Sequence, residues 1–433
     1  MPVLTPLTLY YNPGRSKWYF YSKEQKITLP ETFYWGASPA PVKMSAYNCL
    51  QAPTGAAPMK AMLASGKRPT LGPLIGILSA ENQDGSLKGS ISNYKAIMKA
   101  GQKIGGIVFA FSPGSVNWKK RIIHGKIFDT YNNKWVTSIF PFPNVVYNRI
   151  QDRNHEKKES SQLCIRKFLS HSGITLYNPG FFNKKEVITA LSSSHRIKNH
   201  IPETIVLRSK KDLIYMLKQH KALYLKPTDS KLGSGIIRIV KSQLEKPYWM
   251  QYYAHDKQLK EYKAYNIYQL WHKVRQQMMP SAYIVQQAIP MAEIYTCPFD
   301  CRVLVQKNKK GLWQISGMGI RIAAHSQSIT THVPKGGRIG LPKDVLQQAL
   351  PQHNPVLLLQ RVRRLCIAAA KKLERHYKLL GEMSIDVGLD SSGYPWIFEA
   401  NAKPMKFDEP EIRKKQLEQV IRYAQFLAYK KSS

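Results

Sequence analysis

Short apolar runs and helix-spaced apolar residues alternate along most of this chain. Leu74-Ile75-Gly76-Ile77-Leu78 reads as a buried strand, Ile91, Tyr94, Ile97, Met98 and Ile104 fall at helical spacing, and Ile107 to Phe111 gives a second strand. This β-α-β order predicts a parallel sheet, closing near Ile150. The polar stretch QDRNHEKKES follows as a linker or exposed turn. Beyond Ser161 the alternation resumes, with helices expected at Cys164 to Ser170 and Lys184 to Leu191. Ser209 and Asp212 form a capping signal ahead of Leu213, Ile214, Met216 and Leu217, and a strand is expected from Ala222 to Lys226. A hairpin follows from Arg302 to Gly317. Val356 to Leu380 carries a packing face of Leu358, Val362, Leu365, Ala369 and Leu373, and Gly381 is its expected stop. Before residue 70, aromatic runs broken by Pro and Gly predict a small β-rich unit. The pattern divides the chain into 1–70, 71–160 and 161–433, with an α/β parallel-sheet unit in the second.

The stretch GEMSIDVGLDSSGYPWIFEANAKP, residues 381–404, gathers the most chemistry. It predicts strands at Glu382 to Leu389 and Tyr394 to Ala400, joined by a four-residue turn at Asp390 to Gly393. That loop length sets Asp386 opposite Ile397, Ser384 opposite Glu399 and Glu382 opposite Asn401. Asp386, Glu399 and Asn401 then share one face, with Asp386 and Glu399 as diagonal neighbours about 7–8 Å apart. Two carboxylates and an amide so placed suit a hard cation such as Mg²⁺, which takes oxygen ligands. A solvated acidic face is the alternative.

Composition narrows the setting. With 433 residues, 43% hydrophobic and 21% charged, the chain has the makings of a multi-domain globular protein. Its 65 Lys and Arg against 27 Asp and Glu give a net charge of +38, which attracts anionic partners. The basic residues are scattered through clusters such as Arg208 to Lys211 and Arg361 to Arg364, a pattern of a basic surface and not of a nucleic-acid groove. Five cysteines, Cys49, Cys164, Cys297, Cys301 and Cys366, supply neither a disulfide framework nor a complete zinc site. No apolar run approaches 18 residues, and a cytoplasmic setting is the default expectation.

Three further stretches carry candidate chemistry. The small-residue loop Thr228 to Gly235, with Ser234 and Gly235 at its end and Lys226 beneath it, can fold over phosphates. No GxxxxGK[ST] occurs and no helix opens after the loop, so a P-loop and a dinucleotide fingerprint are excluded. Ala282 to Pro290, containing Gln286, Gln287, Ala288 and Ile289, reads either as a core strand or as one whose amide-bearing end covers an adenine ring. Arg302 and Arg321 lie on consecutive strands upstream of the carboxylate hairpin and suit a polyphosphate.

Taken in order, Lys226-Pro227, the Gly-rich loop, Gln286-Gln287, Asp300-x-Arg302, Arg321, and Asp386 with Glu399 and Asn401 resemble the ATP-grasp superfamily. The stretches LGPLIGIL, VVYNRI, YLKPTDSKLGSGI, YIVQQAI, FDCRVLVQKNKKGLW and GRI are similar to the YheC/YheD-type, endospore coat-associated group within it. The likeness covers about residues 70 to 430 and implies an α/β and α+β architecture: a pre-ATP-grasp domain over 71–160 and an ATP-grasp domain over 161–433, of two α+β subdomains split near 290.

That resemblance implies ATP and Mg²⁺ as cofactors. It places Lys226 on the phosphates, Ser234 and Gly235 in the covering loop, and Gln286, Gln287, Ala288 and Ile289 around adenine. Asp386, Glu399 and Asn401 become Mg²⁺ ligands, and Arg302 and Arg321 face the γ-phosphate or an acyl-phosphate. The implied activity joins a carboxylate to an amine or thiol through an acyl-phosphate, on a small-molecule or peptide acid. Ser384 stands where the D-alanine–D-alanine ligases have an arginine two residues before the metal aspartate. A nucleotide-binding assembly protein of the spore coat, meeting acidic coat components, is the second implied reading.

Overall fold

The computed structural model describes residues 4–12, 17–21, 32–37, 42–43, 58–65, 69–229, 234–243, 245, 247–254, 258–331 and 333–430. Ser230 to Gly233 of the small-residue loop, Cys49 and much of the stretch before residue 58 lie outside them. The other four cysteines are free thiols.

Four main sheets follow one another along the chain. The first joins six short strands between Leu4 and Gly72. The second has Leu74–Leu78 at its centre, parallel to Ile107–Phe111 on one side and Val145–Asn148 on the other. Thr175–Tyr177 extends it in parallel beyond Val145–Asn148, so this sheet draws on residues as far as 177. The central strands are buried on both faces, as helix-covered parallel sheets require. An antiparallel hairpin, Ile122–Asp129 with Lys134–Pro141, adds to its other edge; the sequence reading did not anticipate it.

The third sheet is antiparallel, in the order Thr204–Leu207, Tyr283–Gln287, Ala222–Pro227, Ile237–Lys241, Tyr248–Tyr253, Leu259–Ala264. The fourth runs Arg338–Gly340, Trp313–Ile322, Cys297–Lys307, Glu382–Leu389, Pro395–Asn401, also antiparallel. Its inner face packs against the helix Pro355–His376, whose Leu358, Val362, Leu365, Ala369 and Leu373 are buried as their spacing predicts. Each such fully buried side chain of leucine size stabilises the fold by about 1.5–3 kcal/mol. That helix stops at His376, four residues short of the expected Leu380. Leu379 turns the chain with φ 62° and Leu380 is buried, so the termination comes from local packing and not from Gly381. The C-terminal helix Pro410–Lys430 wedges between the second and fourth sheets, burying Val420, Ile421, Tyr423 and Ala424.

The late hairpin forms with a register other than the expected one. Asp390 Oδ1 accepts from the N–H groups of Ser392 and Tyr394, both at 3.0 Å, and Gly393 adopts φ 72°. The backbone N–H of Asp390 donates to the carbonyl of Tyr394, leaving three residues in the loop and not four. Phe398 is then an extra residue, shifting the pairing between Asp386 and Val387. Asp386 therefore lies directly opposite Glu399, and Ser384 opposite Asn401.

Candidate functional site

Between the third and fourth sheets lies a cavity of about 420 Å³. Lys226, Gln286, Gln287, Ile289, Arg302, Arg321, Asp386, Glu399 and Asn401 all line it, though more than 170 residues of chain separate Lys226 from Asn401. Ser234, Gly235 and Ala288 are not among the lining residues. Gly235 has φ 72°, and its carbonyl accepts the Tyr283 hydroxyl at 3.1 Å.

Cross-strand register builds the acidic wall. Arg302, Asp386 and Glu399 sit side by side on three neighbouring strands, one row across the sheet. Asp300, two residues before Arg302, pairs with Arg321 on the adjoining strand. The Arg321 guanidinium donates to Asp300 through Nε at 2.9 Å and Nη2 at 3.1 Å, and lies 3.0 Å from Asp386 Oδ2. Burial works against that charge, but Asp386 and Asp300 outweigh it and raise the Arg321 pKa. Thr331 donates its hydroxyl to Asp300 as well. Lys184 Nζ stands 3.8 Å from Glu399 Oε1.

Lys226 occupies the opposite wall. Its ammonium donates to Gln286 Oε1 at 2.6 Å, and Gln286 Nε2 donates to Thr204 Oγ1 at 2.9 Å. Burial, followed by repulsion from Lys184, pulls the Lys226 pKa down to about 8. The Gln286 side chain thus holds the lysine in place. In the strand end beyond it, the N–H groups of Gln287 and Ala288 donate to the carbonyls of Glu203 and Ala222.

The donor set fits a hard cation. Asp386 and Glu399 offer carboxylates on adjacent strands and Asn401 an amide oxygen, all oxygen donors, with room in the cavity for water or phosphate oxygens. Among the described residues no cluster of three or more His, Cys, Asp or Glu side chains forms that could hold a metal ion, so Asp386 and Glu399 with the Asn401 amide leave the remaining ligand positions to water or phosphate oxygens. Arg302 has no acidic partner among the described residues; its guanidinium lies 5.5 Å over the Phe407 ring.

Sequence reasoning left four charged lining residues out of its site: Asp300, Lys184, Arg153 and Lys403. Asp300 was visible in the Asp-x-Arg pattern, and Lys403 follows Asn401 by two. Arg153 and Lys184 carried no signal beyond their charge, because only the fold brings their elements to the cavity.

Comparison with known proteins agrees with this architecture. The pattern described as YheC/D-like ATP-grasp matches residues 173–427. The chain belongs to the YheC/D-like ATP-grasp family. Two members from Bacillus subtilis (strain 168) are similar to it. The endospore coat-associated protein YheD is 26% identical over 348 residues, 79% of this chain and 75% of YheD. The endospore coat-associated protein YheC is 22% identical over 312 residues, 72% of this chain and 84% of YheC. Among solved structures, the ATP-grasp ligase PsnB complexed with minimal precursor superposes with a TM-score of 0.47 at 12% identity, covering 81% of this chain and 98% of PsnB. In this YheC/D-like chain, no described helix is long and apolar enough to cross a membrane.

Proposed function

We propose that the cavity binds ATP with Mg²⁺ and activates a carboxylate as its acyl-phosphate for capture by an amine or thiol. The observation that carries this reading is the meeting of Lys226 with the Asp386–Glu399 pair around one cavity, beside an arginine without an acidic partner among the described residues. Lys226 and Arg302 hold the phosphates, with Ser234 and Gly235 in the loop above them. The adenine edge lies along Gln286 to Ile289, where the Ile289 N–H has no hydrogen-bond partner among the described residues.

Asp386, Glu399 and Asn401 hold the cation, which when bound neutralises phosphate oxygens as charge shifts toward the leaving group. Arg321 sits 3.0 Å from Asp386 Oδ2 and holds that carboxylate in direction. A substrate carboxylate oxygen attacks the γ-phosphorus, the bridging P–O bond breaks and ADP leaves. The amine nitrogen or thiol sulfur then attacks the acyl carbon, the C–O bond to phosphate breaks, and the departing phosphate takes the acceptor's proton. The side chains position and neutralise; none forms a covalent intermediate.

A second reading keeps the nucleotide and drops the turnover: an assembly protein of the spore coat that meets acidic components. Ser384 favours it. It replaces the arginine of the ligases, is fully buried, and its hydroxyl has no hydrogen-bond partner among the described residues. Assaying ADP and phosphate release across panels of acids, amines and thiols separates the two. Release that requires both an acid and an acceptor supports the ligase. Mg²⁺-ATP binding by calorimetry with no release for any pair supports the assembly protein, and no ATP binding defeats both.

A further inference from the structure

The stretch Tyr147-Asn148-Arg149-Ile150 ends a central strand of the second sheet and lines no part of the cavity. Its side chains nevertheless converge on the two ends of the carboxylate hairpin. Where the hairpin begins, Glu382 Oε1 accepts from the Tyr147 hydroxyl and from Arg149 Nη1 at 3.2 Å, while Glu382 Oε2 accepts from Gln306 Nε2 at 3.1 Å. Where the chain leaves the hairpin, Arg149 Nη2 donates to the Pro404 carbonyl at 3.0 Å, and Lys403 donates to the Ile150 carbonyl at 3.2 Å. Lys403 also pairs with Glu156, to whose Oε2 Asn148 Nδ2 donates at 3.2 Å.

Asn178 closes the same gap from below. It follows the last parallel strand with φ 53°, a left-handed turn that asparagine tolerates. Its Oδ1 accepts from the N–H groups of Gly381 at 2.7 Å and Glu382 at 3.4 Å. Its Nδ2 donates to the Glu382 carbonyl at 3.0 Å and to the Ala402 carbonyl. One fully buried amide therefore ties both hairpin ends together, and Arg149 does so a second time. Asn401 stands one residue before Ala402, and Asp386 lies on the strand that Glu382 opens.

We propose that Asn178 and Arg149 are positioning residues for the divalent-cation site: they set the separation of the hairpin ends and so hold Asp386, Glu399 and Asn401 within reach of one ion. The inference rests on the cation site proposed above. Partners lying behind metal ligands typically govern affinity by about 10–100-fold. Acting through the strand backbone, Asn178 and Arg149 belong at the lower end of that range.

The test titrates Mn²⁺, followed by its electron paramagnetic resonance signal, into the full chain with and without ATP, alongside ATP binding without metal and thermal unfolding. Asn178→Ala removes four buried hydrogen bonds and is the variant most at risk of not folding. Arg149→Lys keeps the charge beside Glu382, but a single ammonium does not reproduce the planar fork that also reaches Pro404. For Arg149→Lys, and for Asn178→Ala if it folds, Mn²⁺ affinity should fall about tenfold. Metal-free ATP affinity should stay within about twofold and unfolding should stay cooperative. Unchanged Mn²⁺ affinity in folded Arg149→Lys overturns the proposal, as does an equal fall in metal and metal-free nucleotide affinity. Should Asp386→Asn itself leave Mn²⁺ binding intact, the cation site is wrong and not merely its support.

Discussion

Asp386 and Glu399 are direct cross-strand neighbours, and the bulge at Phe398 makes them so. Without that extra residue the pairing would set Asp386 beside Phe398, and a one-residue slip turns a side chain to the other face. In the proposed site the two carboxylates share one cation. Asp386→Asn and Glu399→Gln should each weaken Mg²⁺-ATP binding by at least tenfold, about 1.4 kcal/mol, while the chain still melts cooperatively. Calorimetry of both variants checks this, and wild-type affinity in both would remove the site.

Arg321 lies between two acids, Asp300 and Asp386, and is nearly buried. Arg321→Met leaves both carboxylates in a dry wall with no cation between them, at a cost of about 3–5 kcal/mol. A divalent ion can partly replace the lost charge. Urea unfolding should therefore show a larger Mg²⁺-dependent gain in stability for Arg321→Met than for the wild type. Equal gains would mean that Mg²⁺ does not settle beside Asp386.

The Lys226 ammonium, with a pKa near 8 in the unliganded protein, gives nucleotide binding a pH dependence. A polyphosphate raises that pKa, so binding takes up a proton once the pH exceeds 8. Affinity is fully present below pH 8 and falls as the pH rises through it, by up to about tenfold per unit. Lys226→Arg, charged throughout, should flatten this component. An equally steep fall in the variant would mean that Lys226 is not the group that titrates.

Gly393 holds the three-residue loop with φ 72°, and a Cβ there would come within 2.8 Å of Leu358 Cδ2. Gly393→Ala should cost about 1–2 kcal/mol from the backbone alone. Denaturant unfolding measures the loss, and a neutral effect would mean that the loop is free to change type.

Many residues of the candidate cavity could be read from the sequence because its parts are local. The strand ending at Lys226, the Asp300-x-Arg302 pair and the acid-bearing hairpin each announce themselves within a dozen positions. The register did not, because it depends on how Asp390 folds the loop around its own carboxylate and on where Phe398 is accommodated, and strand alternation encodes neither. The helix Ile267–Gln277 was legible in Ile267, Leu270, Trp271 and Val274 but was overlooked among the polar residues around it. Arg149 and Glu382, 233 positions apart, had no local signal at all. Their pairing exists only once the second and fourth sheets have met.

That pairing bears on where the molecule can be cut. The family match begins at residue 173, which retains Asn178 but discards Tyr147, Arg149 and Glu156. A fragment starting there would strand the Glu382 carboxylate and the Lys403 ammonium inside the protein with their counterparts gone, and would strip Thr175–Tyr177 of its neighbouring strand. Sequence likeness and mechanical self-sufficiency thus have different borders in this chain, and the smallest piece worth purifying begins well upstream, before Leu74.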